Sequence, residues 1–188
     1  AEYSIPAYNE RTFTGLVRHV YVRTNRAGRS LCCLLVNGRG VPREVELVRA
    51  LRRAEPNLAG IVLGVNEKHN NVILGDSYRT LWGEDFLSDT LCGLTFRLSV
   101  PSFYQVNPAQ TEVLYGKALE FAGLTGAETV LDLYCGIGTI SLVMARKAGM
   151  VWGAEVVPQA VDDAIANAQR NHIENARFLC ADAGVDSK

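Results

Sequence analysis

The chain lacks an apolar run near the ~18 residues that cross a bilayer, and it shows no basic-then-apolar leader. We therefore expect no membrane partner and a cytoplasmic location. Metal-binding vocabulary is equally thin. The three histidines, His19, His69 and His172, are widely separated. The five cysteines, Cys32, Cys33, Cys92, Cys135 and Cys180, form no Cys-x-x-Cys pair. This spacing argues against a metal site or a secreted disulfide framework, and for reduced, mostly buried thiols. A strong net charge is missing too: the balance is −1, so the chain as a whole carries no nucleic-acid signature.

What is present is an uneven distribution of that charge. Residues 1–100 sum to +3 and residues 101–188 to −4. Within residues 11–53 there are ten arginines against two acids, Glu44 and Glu46, a local +8. Such a stretch is either a solvated face or a surface turned towards phosphate, which arginine contacts bidentately. At 188 residues the chain has room for one large or two small domains.

The first half reads as short strands around one helix. Residues 16–23 and 31–36 are strand-like and flank a turn at 25–28, a hairpin pattern. Pro42 stands at a first helical position. Val45, Val48 and Leu51 then share a face, with Arg49, Arg52 and Arg53 outside it, and Pro56 stops the helix. Residues 60–65 and 71–74 read as further strands. Leu94, Phe96, Leu98 and Val100 alternate with Thr95, Arg97 and Ser99, the pattern of a half-buried strand. Residues 1–100 are thus expected to form a small α+β domain with an antiparallel sheet.

The second half, 101–188, changes period. Asn107 followed by Pro108 is an N-cap and first-turn proline. The helix they start places Leu114, Ala118 and Phe121 on one face and closes at Gly123. A strand, a glycine turn, a helix (140–147), a strand (150–155), a helix (158–171) and a strand (176–181) follow. That alternation predicts an α/β, doubly wound parallel sheet whose ligand lies at the carboxyl ends of its strands. Only three parallel strands fit, where a complete sheet has roughly five or more. We expect an incomplete sheet in a piece of a longer enzyme, with the glycine-bearing strand at an edge open to self-association.

The glycine turn itself suggests a ligand. The apolar run at 129–131 ends in Asp132, then Gly136 and Gly138 precede a helical pattern, so backbone N–H groups are left bare at the strand's end. Glu155 ends the next strand 19 positions after Gly136, close to the ~20 expected of an acid that bonds ribose hydroxyls. The third glycine of a dinucleotide fingerprint would fall at position 141, which is Ser141. Asp132, Gly136, Gly138 and Glu155 therefore suit S-adenosylmethionine (SAM), which has no phosphate, better than a nicotinamide dinucleotide.

The segments Ser-Phe-Tyr-Gln-Val-Asn-Pro (102–108), Asp-Leu-Tyr-Cys-Gly-Ile-Gly (132–138) and Glu-Val-Val-Pro (155–158) closely resemble the RNA (uracil-5)-methyltransferases of the RumA/TrmA type. Within that group they are most like the bacterial enzymes acting on 23S ribosomal RNA. The resemblance implies a central domain over 1–100 and the front of a Rossmann-like SAM-binding domain over 101–188. It implies that Gln105 contacts SAM, Tyr134 lines its pocket, Glu155 takes the ribose hydroxyls and Asp182 sits near the adenine, with Gly136 and Gly138 forming the turn. On the residues alone, Tyr134 could be a core aromatic, Gln105 a loop tether and Asp182 a plain strand-end acid.

In this family a cysteine thiolate adds to carbon 6 of the uracil, activating carbon 5 for methylation, and a carboxylate removes the carbon-5 proton. The resemblance implies that both groups lie outside this chain. Cys135 matches the cofactor loop and not the nucleophile, so no catalytic residue is assigned. The family's amino-terminal RNA-binding domain and its iron–sulfur cysteines have no match either, and no cluster is expected. The reading is SAM-dependent methylation of carbon 5 of a uridine in 23S rRNA, by an enzyme of which this piece alone is inactive. The alternatives are an RNA-binding module acting through the arginine-rich first half, or a nicotinamide-dependent oxidoreductase.

Overall fold

The structure, a computed structural model, describes residues 5–182. The chain divides into two compact units, Ala1–Leu87 and Ser88–Lys188.

In the first unit, strands β1 (Val17–Thr24), β2 (Ser30–Val36), β3 (Leu58–Val65) and β4 (Ser77–Gly83) form one sheet in that order, and helix α1 (Glu44–Ala54) connects β2 to β3. The outer pairings are antiparallel, as expected, but β2 and β3 run parallel. The sheet is mixed because α1 carries the chain back to the starting edge, so β3 re-enters in the direction of β2. Burial is nearly complete along both central strands, which explains their unbroken apolar runs.

Helix α1 is turned differently from its expected phase. It starts at Glu44 behind Arg43, which has a left-handed φ of 51°. Val48 is buried and Leu47 and Leu51 pack on the same core, while Val45 is 58% exposed. The core-facing set is 47, 48 and 51, the stripe an i, i+1, i+4 spacing produces. Glu44 also takes both Arg79 guanidinium nitrogens, at 2.9 and 2.7 Å, which ties the helix start to β4.

No strand forms at 71–74. That segment is a loop whose carbonyls are satisfied by side chains. The buried Asn66 amide donates to Val72 O at 2.6 Å and Leu74 O at 3.2 Å, and just before the segment Arg18 donates to the carbonyls of Lys68 and Asn70 at 2.6 and 3.0 Å. With its acceptors occupied in this way, the segment has no need of a ladder.

Strand β5 (Phe86–Leu91) starts just before the boundary and pairs with β6 (Leu94–Ser99) in a two-stranded sheet; the second unit continues with α2 (Pro108–Ala122), β7 (Thr129–Leu133), α3 (Thr139–Ala145), β8 (Met150–Glu155), α4 (Pro158–Arg170) and β9 (Ala176–Cys180). Cys92 and Gly93, at φ 52° and 75°, make the two-residue turn between β5 and β6, both in the left-handed region such a hairpin turn requires. Strand β6, grouped with the first half by its sequence, belongs to this unit: Leu94, Phe96 and Leu98 share a core with Ile137, Leu142 and Val151. β7, β8 and β9 pair in parallel, with β7 at one edge. The sheet is the Rossmann-like one expected.

Helix α2 has its expected caps. Asn107 Oδ1 accepts the Gln110 N–H, and Gly123 closes the end at φ 57°. Its buried face is different from the expected one: Thr111 and Tyr115 are inside, while Leu114 and Phe121 are 58% and 82% exposed. The Tyr115 hydroxyl lies 2.8 Å from Thr139 Oγ1, and this polar contact fixes the helix's rotation. Among the described residues no helix is long and apolar enough to cross a membrane.

Candidate functional site

The turn after β7 is built from left-handed residues. Tyr134, Gly136 and Gly138 have φ of 63°, 55° and 79°. A tyrosine in this region is strained, and such strain gathers at ligand-binding turns. Gly138 is needed twice over, because a Cβ there would also lie 3.0 Å from the Phe178 ring and 3.2 Å from Ala164 Cβ. Around Gly136, by contrast, a Cβ would meet nothing within 4 Å. The backbone there faces open space.

Glu155, the last residue of β8, closes onto this turn. Its Oε2 accepts the Gly136 N–H at 3.0 Å, and its Oε1 accepts the N–H groups of Val156 and Val157 at 2.8 and 3.0 Å. A carboxylate has about four acceptor sites, so Oε2 keeps capacity for a further donor such as a sugar hydroxyl. Ser141, in the place of a third fingerprint glycine, donates its hydroxyl to Asp132 Oδ2 and binds the first turn of α3 to the end of β7. Burial raises the Asp132 carboxyl above its ordinary value, against the lowering effect of the Ser141 hydroxyl.

A cavity of about 190 Å³ opens beside this pair, lined by Phe103, Gly136, Glu155, Val157 and Asp163 among others. Whole-ligand pockets run to about 300–1,000 Å³, so this one has room for part of a ligand. Asp163 on α4 is buried, and its Oδ2 accepts the hydroxyls of Ser99 at 2.7 Å and Ser102 at 2.9 Å. One carboxylate thus anchors the connector that leaves β6 to the helix that follows Glu155. Asn167 and Asn171 extend the same stripe of α4. Asn167 Oδ1 accepts Arg97 N–H at 2.7 Å, Asn171 Oδ1 accepts Thr95 N–H at 2.8 Å, and Asn171 Nδ2 donates to Thr95 O at 2.7 Å. Two side-chain amides therefore replace a neighbouring strand along β6. Asn167 Nδ2 also reaches Ile137 O in the glycine turn at 3.2 Å.

Of the residues singled out in the sequence, the structure brings Gly136 and Glu155 into direct contact, with Gly138 two residues on as the N-cap of α3. Tyr134 is 67% exposed on the same turn, so it is no core aromatic. Gln105 is half-buried in the connector, and Asp182 is exposed two residues beyond β9. Neither these two nor Tyr134 is among the residues that line the cavity. Cys135 is buried, and burial first, then the Asp132 and Glu155 carboxylates, push its thiol up to about 12. That leaves negligible thiolate at neutral pH. The sequence reading missed Asp163, Asn167 and Asn171. Their signal was there, polar residues at i, i+4 and i+8 on the inner face of an amphipathic helix.

A family model described as a methyltransferase domain matches residues 124–185. The chain is 46% identical over 183 residues to an uncharacterized RNA methyltransferase of Halalkalibacterium halodurans, covering 97% of this chain and 40% of that protein. One from Listeria monocytogenes is 46% identical over 179 residues, covering 95% and 39%. The chain thus spans about 40% of the length of the curated relatives it matches. Among solved structures, the Pyrococcus abyssi tRNA (uracil-54, C5)-methyltransferase in complex with S-adenosyl-L-homocysteine superposes with a TM-score of 0.79 at 24% identity, over 96% of this chain and 43% of that one. The tRNA m1G37 methyltransferase of M. jannaschii gives 0.52 at 16%, over 96% and 54%. In sequence the chain is similar to these RNA methyltransferases, and its fold is the one these methyltransferases of known structure show.

Proposed function

We propose that this chain, with RNA methyltransferases as its kin, holds SAM for methyl transfer to carbon 5 of a uridine in 23S ribosomal RNA in the cytoplasm. The observation that carries the reading is the Glu155 carboxylate closed on the Gly136 amide, with capacity left on Oε2, beside the cavity that also takes in Phe103. SAM, when bound, supplies an electrophilic methyl group. Glu155 accepts a ribose hydroxyl, and the open space over Gly136 lets the nucleoside approach the backbone. Tyr134 from the turn, Gln105 from the connector and Asp182 beyond β9 would hold the part of SAM that extends outside the cavity, with Asp182 towards the adenine.

The donor set suits this ligand more than a dinucleotide. Ser141 spends its hydroxyl on Asp132 at the place where a pyrophosphate fingerprint has its third glycine. The uracil-5 and ribosomal parts of the reading are supported by the residue patterns at 102–108, 132–138 and 155–158. The burial that pushes the Cys135 thiol up to about 12 disfavours it as the nucleophile, which supports a thiolate supplied from elsewhere in the whole protein.

Calorimetry of this chain with S-adenosylhomocysteine and with NAD in parallel tests the cofactor. Heat with the first and none with the second is expected, and the reverse would overturn the proposal. Incubating the whole protein with methyl-labelled SAM and either 23S rRNA or tRNA tests the acceptor. Label recovered as 5-methyluridine from the ribosomal RNA is expected; label in another base, or only in tRNA, would correct it.

A further inference from the structure

The first unit carries a second concave site, remote in sequence from the glycine turn. An open basin of about 410 Å³ is lined by Arg49, Arg52, Arg53, Glu55, Pro56 and Trp82. Three arginines at i, i+3 and i+4 occupy one side of α1, an arrangement whose mutual repulsion costs a helix some stability. The helix C-terminus favours cations in its last turn, which offsets part of that cost for Arg52 and Arg53. Among the described residues none of the three makes an ion pair. The one carboxylate in the basin, Glu55, accepts the Asn57 N–H at 2.8 Å. Its charge leaves the basin with a surplus of two positive charges.

Arg52 differs from its neighbours. Its guanidinium carbon lies 4.2 Å from the centre of the Trp82 ring, a cation–π contact. Trp82 is half-buried against the Ile61–Leu63 core of the mixed sheet, so it forms a rigid backing. A guanidinium held over a half-buried indole leaves its far side outward, where an arginine can stack a nucleobase.

Building on the RNA-acceptor part of the proposed function, we infer that this basin binds one nucleotide of single-stranded RNA. The base stacks on the Trp82-backed plane of Arg52, and Arg49 and Arg53 hold the flanking phosphates. An unpaired strand is required because the stacking plane can only be reached by a base free of its own stack. The arginine-rich stretch read from the sequence thereby acquires a defined place.

The test is fluorescence anisotropy of a labelled oligouridine with the 188-residue chain over a salt series, in the absence of SAM. Each phosphate contact on a single strand contributes about 0.7 to the slope of log affinity against log salt. The variant R49Q/R52Q/R53Q is expected to flatten that slope by about 1.4, for the two phosphate contacts of Arg49 and Arg53, and to weaken binding at least about tenfold. Arg52→Lys keeps the charge and loses the plane, so it is expected to keep the slope and weaken binding roughly five- to tenfold. Wild-type affinity and slope in the triple variant would overturn the site, and wild-type affinity in Arg52→Lys would overturn the stacking. Equally tight binding of polyglutamate would replace RNA with an acidic protein. The readout needs no cofactor, so a failure of the SAM proposal leaves it standing, and its own failure leaves SAM binding untouched.

Discussion

Glu155 and Gly136, 19 residues apart, meet through a 3.0 Å hydrogen bond from the glycine amide to the glutamate carboxylate. The bond joins the carboxyl ends of two adjacent parallel strands, β7 and β8, and so holds the turn and the acid in one fixed arrangement. Ligands of open α/β sheets bind at those ends.

Glu155→Gln replaces one acceptor oxygen with an N–H₂ group that must face backbone N–H donors. Loss of charge-assisted hydrogen bonds of this kind costs about 1.5–3 kcal/mol, or on the order of ten- to a hundredfold in affinity. Calorimetry with S-adenosylhomocysteine is expected to show that loss, and unchanged affinity would separate Glu155 from the ligand.

Gly136→Ala and Gly138→Ala are expected to behave differently in urea unfolding. At Gly136 the new methyl enters open space, and only the left-handed φ of 55° resists it, for about 1 kcal/mol. At Gly138 the same strain is joined by contact with the Phe178 ring at 3.0 Å, so a total of about 2–4 kcal/mol is expected. A larger cost at Gly136 would contradict the geometry.

Asn167→Ala removes the acceptor for Arg97 N–H and the donor to Ile137 O in a buried place. Leaving these backbone groups unpaired costs about 1–3 kcal/mol each, so a stability loss near the upper part of that range is expected from chemical denaturation. Asn171→Ala, half-buried, is expected to cost less. Equal and negligible effects would show that β6 does not need the amide ladder.

Much of this was legible in the sequence, and the failures have physical causes. The parallel strands, the glycine turn and Glu155 were readable because buried β-runs and turn glycines are local signals. Helix faces were misjudged wherever a polar contact decides rotation. Tyr115, held by Thr139, displaces Leu114 and Phe121 from the interior, and Val45 yields to Leu47. The apolar 71–74 segment read as a strand because pattern alone cannot show that the Asn66 amide occupies its carbonyls. Strand β4 went unread since its Ser-Tyr-Arg-Thr-Leu-Trp-Gly sequence lacks clean alternation. The mixed sheet followed from chain reversal by α1, a tertiary matter.

Acid titration should reveal one surface device. The exposed Glu128 carboxylate accepts the Thr125 hydroxyl at 2.6 Å and the N–H groups of Thr125 and Gly126 at 2.9 and 3.1 Å. These bonds, the hydroxyl's first, lower it from 4.5 to about 2. A lowered carboxyl pKa means that its stabilisation is fully present above about 4.5 and is lost as pH falls towards about 2. Glu128→Gln should therefore have a lower Tm than the parent at neutral pH, with the gap closing across that acid window. A gap independent of pH would contradict the assignment.

The most direct test of the central claim is an amide nuclear magnetic resonance titration of the chain with S-adenosylhomocysteine. The account predicts the largest shifts at Gly136, Ile137 and Val156, around the Glu155 carboxylate, with little change along α1. Unmoved signals at the glycine turn, or shifts centred elsewhere, would contradict it.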